Sequence, residues 1–392
     1  MDFDAYYINK STEVKAPNLC AAPWGHIHTT PNGDLYPCCY NRDKMGNIND
    51  SNFQEIFNNE KYKNLRRQFL ANERPAGCIK CFTQEDNGYK SLRTRINNTP
   101  WGKNTYTFAD KLTLLDGTIN DIEIRDADFR FSNKCNMACV MCSPDWSTKW
   151  ASELKVESKY LQVFENNAEF IKNYLDQVQV VSFAGGEPLI MDEHWQILDL
   201  LKGKNVKLIY SSNGSSISYK NKNALDYWAN WKGPVDVILS IDSIFEKAEY
   251  IRYGISWKQV EDNIKKITSL ESKHKHIRII SSSSIGMYNV FDIDKIYEHL
   301  SSLGIQVISL NPVAGNFSIQ HMPQNAKKHA FNYLESIKNK VGDLRNFKII
   351  QDLCNTPTNG ENLRTTRHQI QNLDKRRNLN FFKTFPELKK YY

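Results

Sequence analysis

Cys135-Asn-Met-Ala-Cys139-Val-Met-Cys142 places three thiols within eight residues. A structural zinc site or a fully ligated iron–sulfur cluster takes four protein ligands, so this set is one short. Three closely spaced thiolates suit a cubane cluster with one iron left open, and an open metal position is where chemistry occurs. Upstream, in Asp121–Phe131, the apolar residues Ile122, Ile124, Ala127, Phe129 and Phe131 partly alternate with polar ones. That pattern predicts a strand with an irregularity near Asp126, and places the thiols on the loop leaving it.

A second β-rich run, Val178-Gln-Val-Val-Ser-Phe183, leads into Ala184-Gly-Gly-Glu-Pro188. Gly185 and Gly186 allow close backbone approach to a ligand, Pro188 stiffens the exit, and Glu187 offers a carboxylate to an ammonium group. Together, CxxxCxxC and GGEP, each after a strand, resemble the radical S-adenosylmethionine (radical SAM) enzymes. The resemblance implies a [4Fe-4S] cluster held by Cys135, Cys139 and Cys142. It also implies that the methionine end of SAM chelates the open iron, with Gly185, Gly186 and Glu187 at its amino group.

The chain has nine cysteines. Five lie upstream: Cys20, Cys38, Cys39, Cys78 and Cys81. Asn32-Gly33 is a hairpin signal that would return Cys38 toward Cys20. Ser51 and Gln54 read as a capping box, and Phe53, Ile56, Phe57, Leu65, Phe69 and Leu70 recur at helical spacing, with Arg66 and Arg67 between them. This region delivers the chain to Cys78-Ile-Lys-Cys81. Cys20, Cys38, Cys78 and Cys81 make a set of four, for which spacing alone leaves zinc and an iron–sulfur cluster both open. CxxPW, Pro-Cys-Cys, Gly-Asn-Ile and CxxC resemble the SPASM module, or its one-cluster twitch form. This resemblance implies an auxiliary [4Fe-4S] cluster on a module that here precedes the core. Cys38 follows the proline as in related modules and is taken as the ligand. Cys39 is taken as a packed neighbour, since consecutive strand side chains point to opposite faces. Cys354 stands apart and reads as a passive thiol.

Further strand-like runs at Val206–Ser211, Val235–Ile241, Ile277–Ser282 and Ile305–Leu310 alternate with helix-length segments. With the two earlier strands they make six β/α units. These fit an α/β fold, either a partial (β/α)6 barrel with its site at the strand C-terminal ends or a doubly wound sheet. The resemblance implies the barrel of the radical SAM type. It also places Ser212 and Asn213 near the methionine end of SAM, Ser240 and Asp242 at its carboxylate or ribose, and Arg252 at the carboxylate. The serine run Ser281–Ser284 ends the fifth strand. His194, His274 and His276 read as surface or helix residues, and no acid–base residue is singled out. Asn311-Pro-Val interrupts regular structure, and residues 324–392 read as helical. The expected division is 1–115 for the auxiliary-cluster module, 116–315 for the core and 316–392 for a C-terminal helical extension. Thr99-Pro-Trp-Gly102 and Asp116-Gly117 mark the first boundary.

The start Met1-Asp-Phe-Asp-Ala-Tyr-Tyr lacks the pattern of a signal peptide, and no apolar run is long enough to span a membrane. A cytoplasmic protein is expected, and nine cysteines there argue for metal ligation over disulfides. The net charge is +7, and residues 361–392 hold eight Lys/Arg against three Asp/Glu. This basic tail, with Phe381, Phe382, Phe385, Tyr391 and Tyr392, reads as a helix with a solvated charged face, not as a nucleic-acid surface. The resemblance implies a flavodoxin or ferredoxin as electron donor, reductive cleavage of SAM, and hydrogen abstraction by a 5′-deoxyadenosyl radical. The expected substrate is a peptide or protein side chain. A sugar or nucleoside is the alternative, and a non-catalytic electron-transfer or redox-sensing protein is the alternative of another class.

Overall fold

The computed structural model describes residues 16–158, 174–341, 344–358 and 360–392. The signal-peptide reading of residues 1–7 lies outside them. The described strands are β1 (His26–Thr29), β2 (Asp34–Tyr36), β3 (Gly46–Asn47), β4 (Asp126–Phe129), β5 (Ala138–Cys139), β6 (Val180–Phe183), β7 (Lys207–Ser212), β8 (Ser218–Tyr219), β9 (Lys222–Asn223), β10 (Val235–Ser240), β11 (Arg252–Tyr253), β12 (Ile277–Ile285) and β13 (Val307–Pro312). The chain divides into two compact units. Of the described residues, one holds those within 16–133, 174–185 and 191–208, the other those within 134–158, 186–190 and 209–392.

In the first unit the strand order is β6-β4-β1-β2-β3. β4 runs parallel to both β6 and β1, with Asp128 level with Ser182 and with His28. β1 and β2 form the antiparallel hairpin predicted from Asn32-Gly33, and Gly33 takes the left-handed φ of 86° that such a turn needs. β4 begins only at Asp126, where the sequence showed its irregularity. Upstream, the Arg125 N–H is already committed to the Gly25 carbonyl.

The helical stretch after the hairpin is two helices, Phe53–Phe57 and Glu60–Leu70. The predicted Ser51–Gln54 box is not their cap. Asn52 caps the first, accepting from the Glu55 N–H, and Asn59 caps the second. Arg66 is fully buried and donates to the carbonyls of Pro23, Phe57 and Gly117, so it is a tie inside the module. Thr99-Pro-Trp-Gly102 opens a helix, Pro100–Leu112, with Thr99 as N-cap.

In the second unit the order is β13-β12-β10-β7, and β10, β12 and β13 are parallel. All six strands of the predicted β/α units are thus present. β12 runs on through Ser281–Ser284 to Ile285, alternately buried and half-buried, so the serine run is strand. β13 likewise continues to Pro312, which pairs with Ile285 at the end of the ladder and corrects the break expected after Leu310. Helices Gln324–Val341, Phe347–Cys354, Gly360–Arg377 and Phe381–Thr384 follow, as expected. Arg364, Arg367, Lys375, Arg376, Lys383, Lys389 and Lys390 are exposed, but Arg377 is buried. The tail aromatics Phe381 and Phe385 pack edge-on against Tyr250. Cys354 is buried and its thiol is pushed up to about 12 by burial. His194 lies in the helix Asp192–Leu201, one of its two expected placements, and is fully buried against Phe183 and Trp195. No described helix is long and apolar enough to cross a membrane.

Candidate active site and auxiliary cysteine set

The Cys135–Cys142 loop lies in the second unit and is braced at both ends. The Cys135 N–H donates to Thr148 Oγ1, whose hydroxyl returns a bond to the Cys135 carbonyl, both at 3.1 Å. Ser147 Oγ donates to the Met137 carbonyl, and Trp150 Nε1 to that of Cys139 at 2.8 Å. β5 pairs antiparallel with β11, which sets Arg252 opposite Cys139. Arg252 Nη1 lies 3.9 Å from Cys139 Sγ, and Nη2 lies 2.8 Å from Asp242 Oδ2. Arg252 and Asp242 are therefore paired with each other. Asp242 also accepts from the Ser284 N–H at 2.7 Å, tying the end of β10 to the end of β12. Burial pushes the Cys135 and Cys139 thiols up to about 12 and raises Cys142 as well.

Glu187 is 1% exposed. Its carboxylate accepts from Ser212 Oγ at 2.8 Å, the Asn213 N–H at 2.7 Å and the Leu189 N–H at 3.3 Å. It therefore clamps the loop after β7. Burial outweighs these donors and pushes its carboxyl up to about 7. Asn213 Nδ2 in turn donates to Asn136 Oδ1 at 2.9 Å, so one chain of bonds runs from Glu187 into the cysteine loop. Gly185 sits at a φ of 108°, which only glycine takes without strain, and an added Cβ would come within 3.2 Å of the Ser132 carbonyl. Ser240 is half-buried at the end of β10, level with Ser282 of β12.

Sequence reasoning missed Tyr288 and Ser243. Tyr288 is 2% exposed and feels the charges of Asp242, Arg252 and Cys139. Among the described residues its hydroxyl, Ser243 Oγ and Arg252 Nε are sealed from solvent with no hydrogen-bond partner. No motif marks either residue. The signal is the unmet bonding capacity, visible only once the chain is folded.

In the first unit, Cys20, Cys38 and Cys81 are buried and Cys78 is half-buried, all as free thiols. The Cys20 thiol is raised by burial and then by Cys78 and Cys81, and Cys38 by burial and then by Cys20. Cys20 thus lies within electrostatic reach of Cys78 and Cys81, and Cys38 within reach of Cys20. Asn41 Nδ2 lies 3.3 Å from Cys78 Sγ. Cys39 is exposed. That corrects its reading as a packed neighbour, and the charges that act on it are Asp128, Arg130, Arg95 and Lys80. Among the described residues no group of three or more His, Cys, Asp or Glu is set to hold a single metal ion.

Residues 129–303 match the family model of the radical SAM superfamily. The chain thus carries a radical SAM domain. Residues 20–82, which span Cys20, Cys38, Cys78 and Cys81, match an iron–sulfur cluster-binding domain, SPASM. A radical SAM domain carries a SAM-binding [4Fe-4S] cluster, and the SPASM domain carries auxiliary iron–sulfur chemistry. The radical SAM chain is 31% identical over 155 residues to an S-adenosylmethionine-dependent nucleotide dehydratase of Thermoplasmatales archaeon (strain ISO4-H5). That match covers 39% of this chain and 50% of the relative, so the chain spans about half the length of the curated relative it matches. Among solved structures it resembles anSMEcpe with bound AdoMet and Cp18Cys peptide, at 16% identity and TM-score 0.39, over 57% of this chain and 63% of that one. It also resembles Streptococcus suis SuiB bound to precursor peptide SuiA, at 14% identity and TM-score 0.39, over 86% and 66% of the two chains.

Proposed function

We propose that this chain cleaves SAM reductively at a cluster held by Cys135, Cys139 and Cys142 and takes a hydrogen atom from a substrate. The observation that carries this reading is a set of unmet polar groups: Arg252 Nε and Tyr288 Oη, whose residues touch or feel Cys139, and Ser243 Oγ, next in sequence to Asp242. A non-catalytic electron carrier has no use for them. A zwitterionic cosubstrate with ribose hydroxyls supplies the donors and acceptors they lack. When bound, the cluster and SAM supply the 5′-deoxyadenosyl radical, and the protein supplies ligands, orientation and exclusion of water.

In this reading Gly185 and Gly186 leave the backbone open to the amino end of SAM, and Glu187 keeps Ser212 and Asn213 in place beside it. Ser240 and Asp242 border the ribose and carboxylate. Arg252 is held by Asp242 so that its remaining N–H groups meet the carboxylate. Cys20, Cys38, Cys78 and Cys81 hold one auxiliary [4Fe-4S] cluster with no open iron. Residues 1–115, 116–315 and 316–392 are the auxiliary module, the core and the helical extension. A flavodoxin or ferredoxin delivers the electron.

The substrate is a peptide or protein side chain, a reading that rests on the SPASM module. A nucleoside or nucleotide is the second reading, favoured by the similarity to a nucleotide dehydratase. Anaerobic reconstitution, dithionite and SAM test the reaction by release of 5′-deoxyadenosine. SAM binding without cleavage, or an intact cluster that binds no SAM, overturns it. Stimulation of that release by peptides or by nucleoside triphosphates separates the two substrate classes.

A further inference from the structure

The helix Gly360–Arg377 is rich in charge, yet one side of it is packed. Thr366, Ile370, Leu373 and Arg377 recur at helical spacing and are buried. Arg377 closes that stripe at the C-terminal end of the helix and is 7% exposed. A guanidinium cannot shed its charge, so burying it costs free energy unless its surroundings answer it. Part of the answer is Glu153, whose carboxylate accepts from Arg377 Nε at 3.1 and 3.2 Å. Arg376, which is exposed, reaches the same carboxylate at 3.1 Å. Among the described residues, Arg377 Nη1 is sealed from solvent with no hydrogen-bond partner.

The rest of the answer is aromatic. The guanidinium carbon of Arg377 lies 4.5 Å from the ring centroid of Trp150 and 4.5 Å from that of Tyr253. A cation away from water gains most from such ring faces. Each ring is fastened to the cysteine loop. Trp150 Nε1 donates to the Cys139 carbonyl at 2.8 Å, and the Cys142 N–H donates to that same oxygen at 2.9 Å, closing the turn that carries Cys142. Tyr253 pairs with Ala138 across β11 and β5, next to the pairing of Arg252 with Cys139. The charge of Arg377 also reaches Cys139. All of these residues lie in one compact unit.

We propose that Arg377 is a positioning residue for the cysteine loop, which makes the C-terminal helix part of the cluster site. Its guanidinium holds the Trp150 and Tyr253 rings in place. Through them it fixes the Cys139 carbonyl and the β5–β11 pair, and with these the backbone from Ala138 to Cys142. Arginine suits the position because its flat, permanently charged group lies on ring faces, whereas lysine brings a point charge on a flexible stem. The proposal rests on the reading of Cys135, Cys139 and Cys142 as cluster ligands. The competing role is a helix dock, in which Arg377 only ties its helix to Thr148–Leu154 through Glu153. Arg376 makes that tie as well, but its guanidinium carbon is 6.0 Å from the Trp150 centroid.

Arg377→Met and Arg376→Met separate the two roles, because each leaves Glu153 one cation. In the full chain with its clusters loaded, amide exchange over residues 138–142 should be about 10-fold faster in Arg377→Met than in the wild type, the scale of a desolvated cation–π contact. It should be unchanged in Arg376→Met. The midpoint potential of the cluster at Cys135–Cys142 should fall in Arg377→Met, since a buried cation beside it is lost. Arg377→Lys should exchange like Arg377→Met and keep its potential near the wild-type value. Wild-type exchange in Arg377→Met, or an equal rise in Arg376→Met, overturns the proposal even where thermal stability falls. Should Arg377→Met fail to fold, Arg377→Lys decides, and wild-type exchange in it overturns the proposal. If the wild type holds no cluster that Cys135→Ala removes, the cluster reading has failed, and exchange in that chain still decides on Arg377.

Discussion

The two cysteine sets are assembled in opposite ways. Cys135, Cys139 and Cys142 come from one loop, whose ends are fixed by Thr148, Ser147 and Trp150 and whose middle is held by β11. Cys20, Cys38, Cys78 and Cys81 come from a segment before a short helix, the end of a hairpin and a helix start, and they meet only because the module folds. The first set has charged and polar neighbours with unmet bonding capacity. The second has mostly its own thiols and burial. In the proposed reading, the first arrangement suits binding of a cosubstrate and the second suits holding a cluster with no open iron.

The largest expected effect tests that division. Cys135→Ala should lower 5′-deoxyadenosine release by more than about 1000-fold, as for loss of a group on which all chemistry depends. Cys78→Ala should spare cleavage and stop product formation. Equal loss of cleavage in both, with folding intact by circular dichroism, breaks the comparison.

Next is the pair that borders the open loop. Arg252→Met leaves the Asp242 carboxylate buried without its cation and should cost about 3–5 kcal/mol in denaturant unfolding, along with SAM affinity by equilibrium dialysis. A cost no larger than that of an exposed pair would show that Arg252 is not held as the structure places it.

A smaller effect follows from Glu187. Its carboxyl is raised from the ordinary carboxylate value to about 7 by burial, so the folded state binds the proton more tightly than the unfolded chain. This contribution to stability is present in acid and is lost as pH rises through about 7, on the order of 3 kcal/mol in all. Denaturant unfolding of the SAM-free chain should show this slope, and Glu187→Gln should flatten it. A slope retained in the variant assigns it to another group.

The smallest effect distinguishes neighbours in the closed set. Cys39→Ser should leave the iron content and the auxiliary-cluster absorbance unchanged, whereas Cys38→Ser should lower both. The reverse result moves the ligand by one residue.

Much of this was legible because it is local. CxxxCxxC, GGEP, the Asn32-Gly33 turn and six strand-like runs each lie within a few residues, so spacing alone carries them. Errors arose where local patterns compete. Ser51 and Asn52 are both good caps, and the chain uses Asn52. Asn311-Pro312 looks like a breaker, yet Pro312 ends an edge strand, where its missing N–H costs little. Ser281–Ser284 lacks β-branched residues but alternates in burial within β12 because the neighbouring strands impose the register.

The sequence by itself determined the family chemistry: three thiols one ligand short, a glycine-rich turn behind them, and four further cysteines upstream. Tertiary structure decided which groups those motifs answer to. Arg252 meets Asp242 and Cys139, Glu187 clamps Ser212 and Asn213, Tyr288 arrives with its hydroxyl unpaired, and His28 lines up with Asp128. The physical reason is separation along the chain. His28 and Asp128 stand 100 residues apart, and only the parallel register of β1 and β4 makes them neighbours.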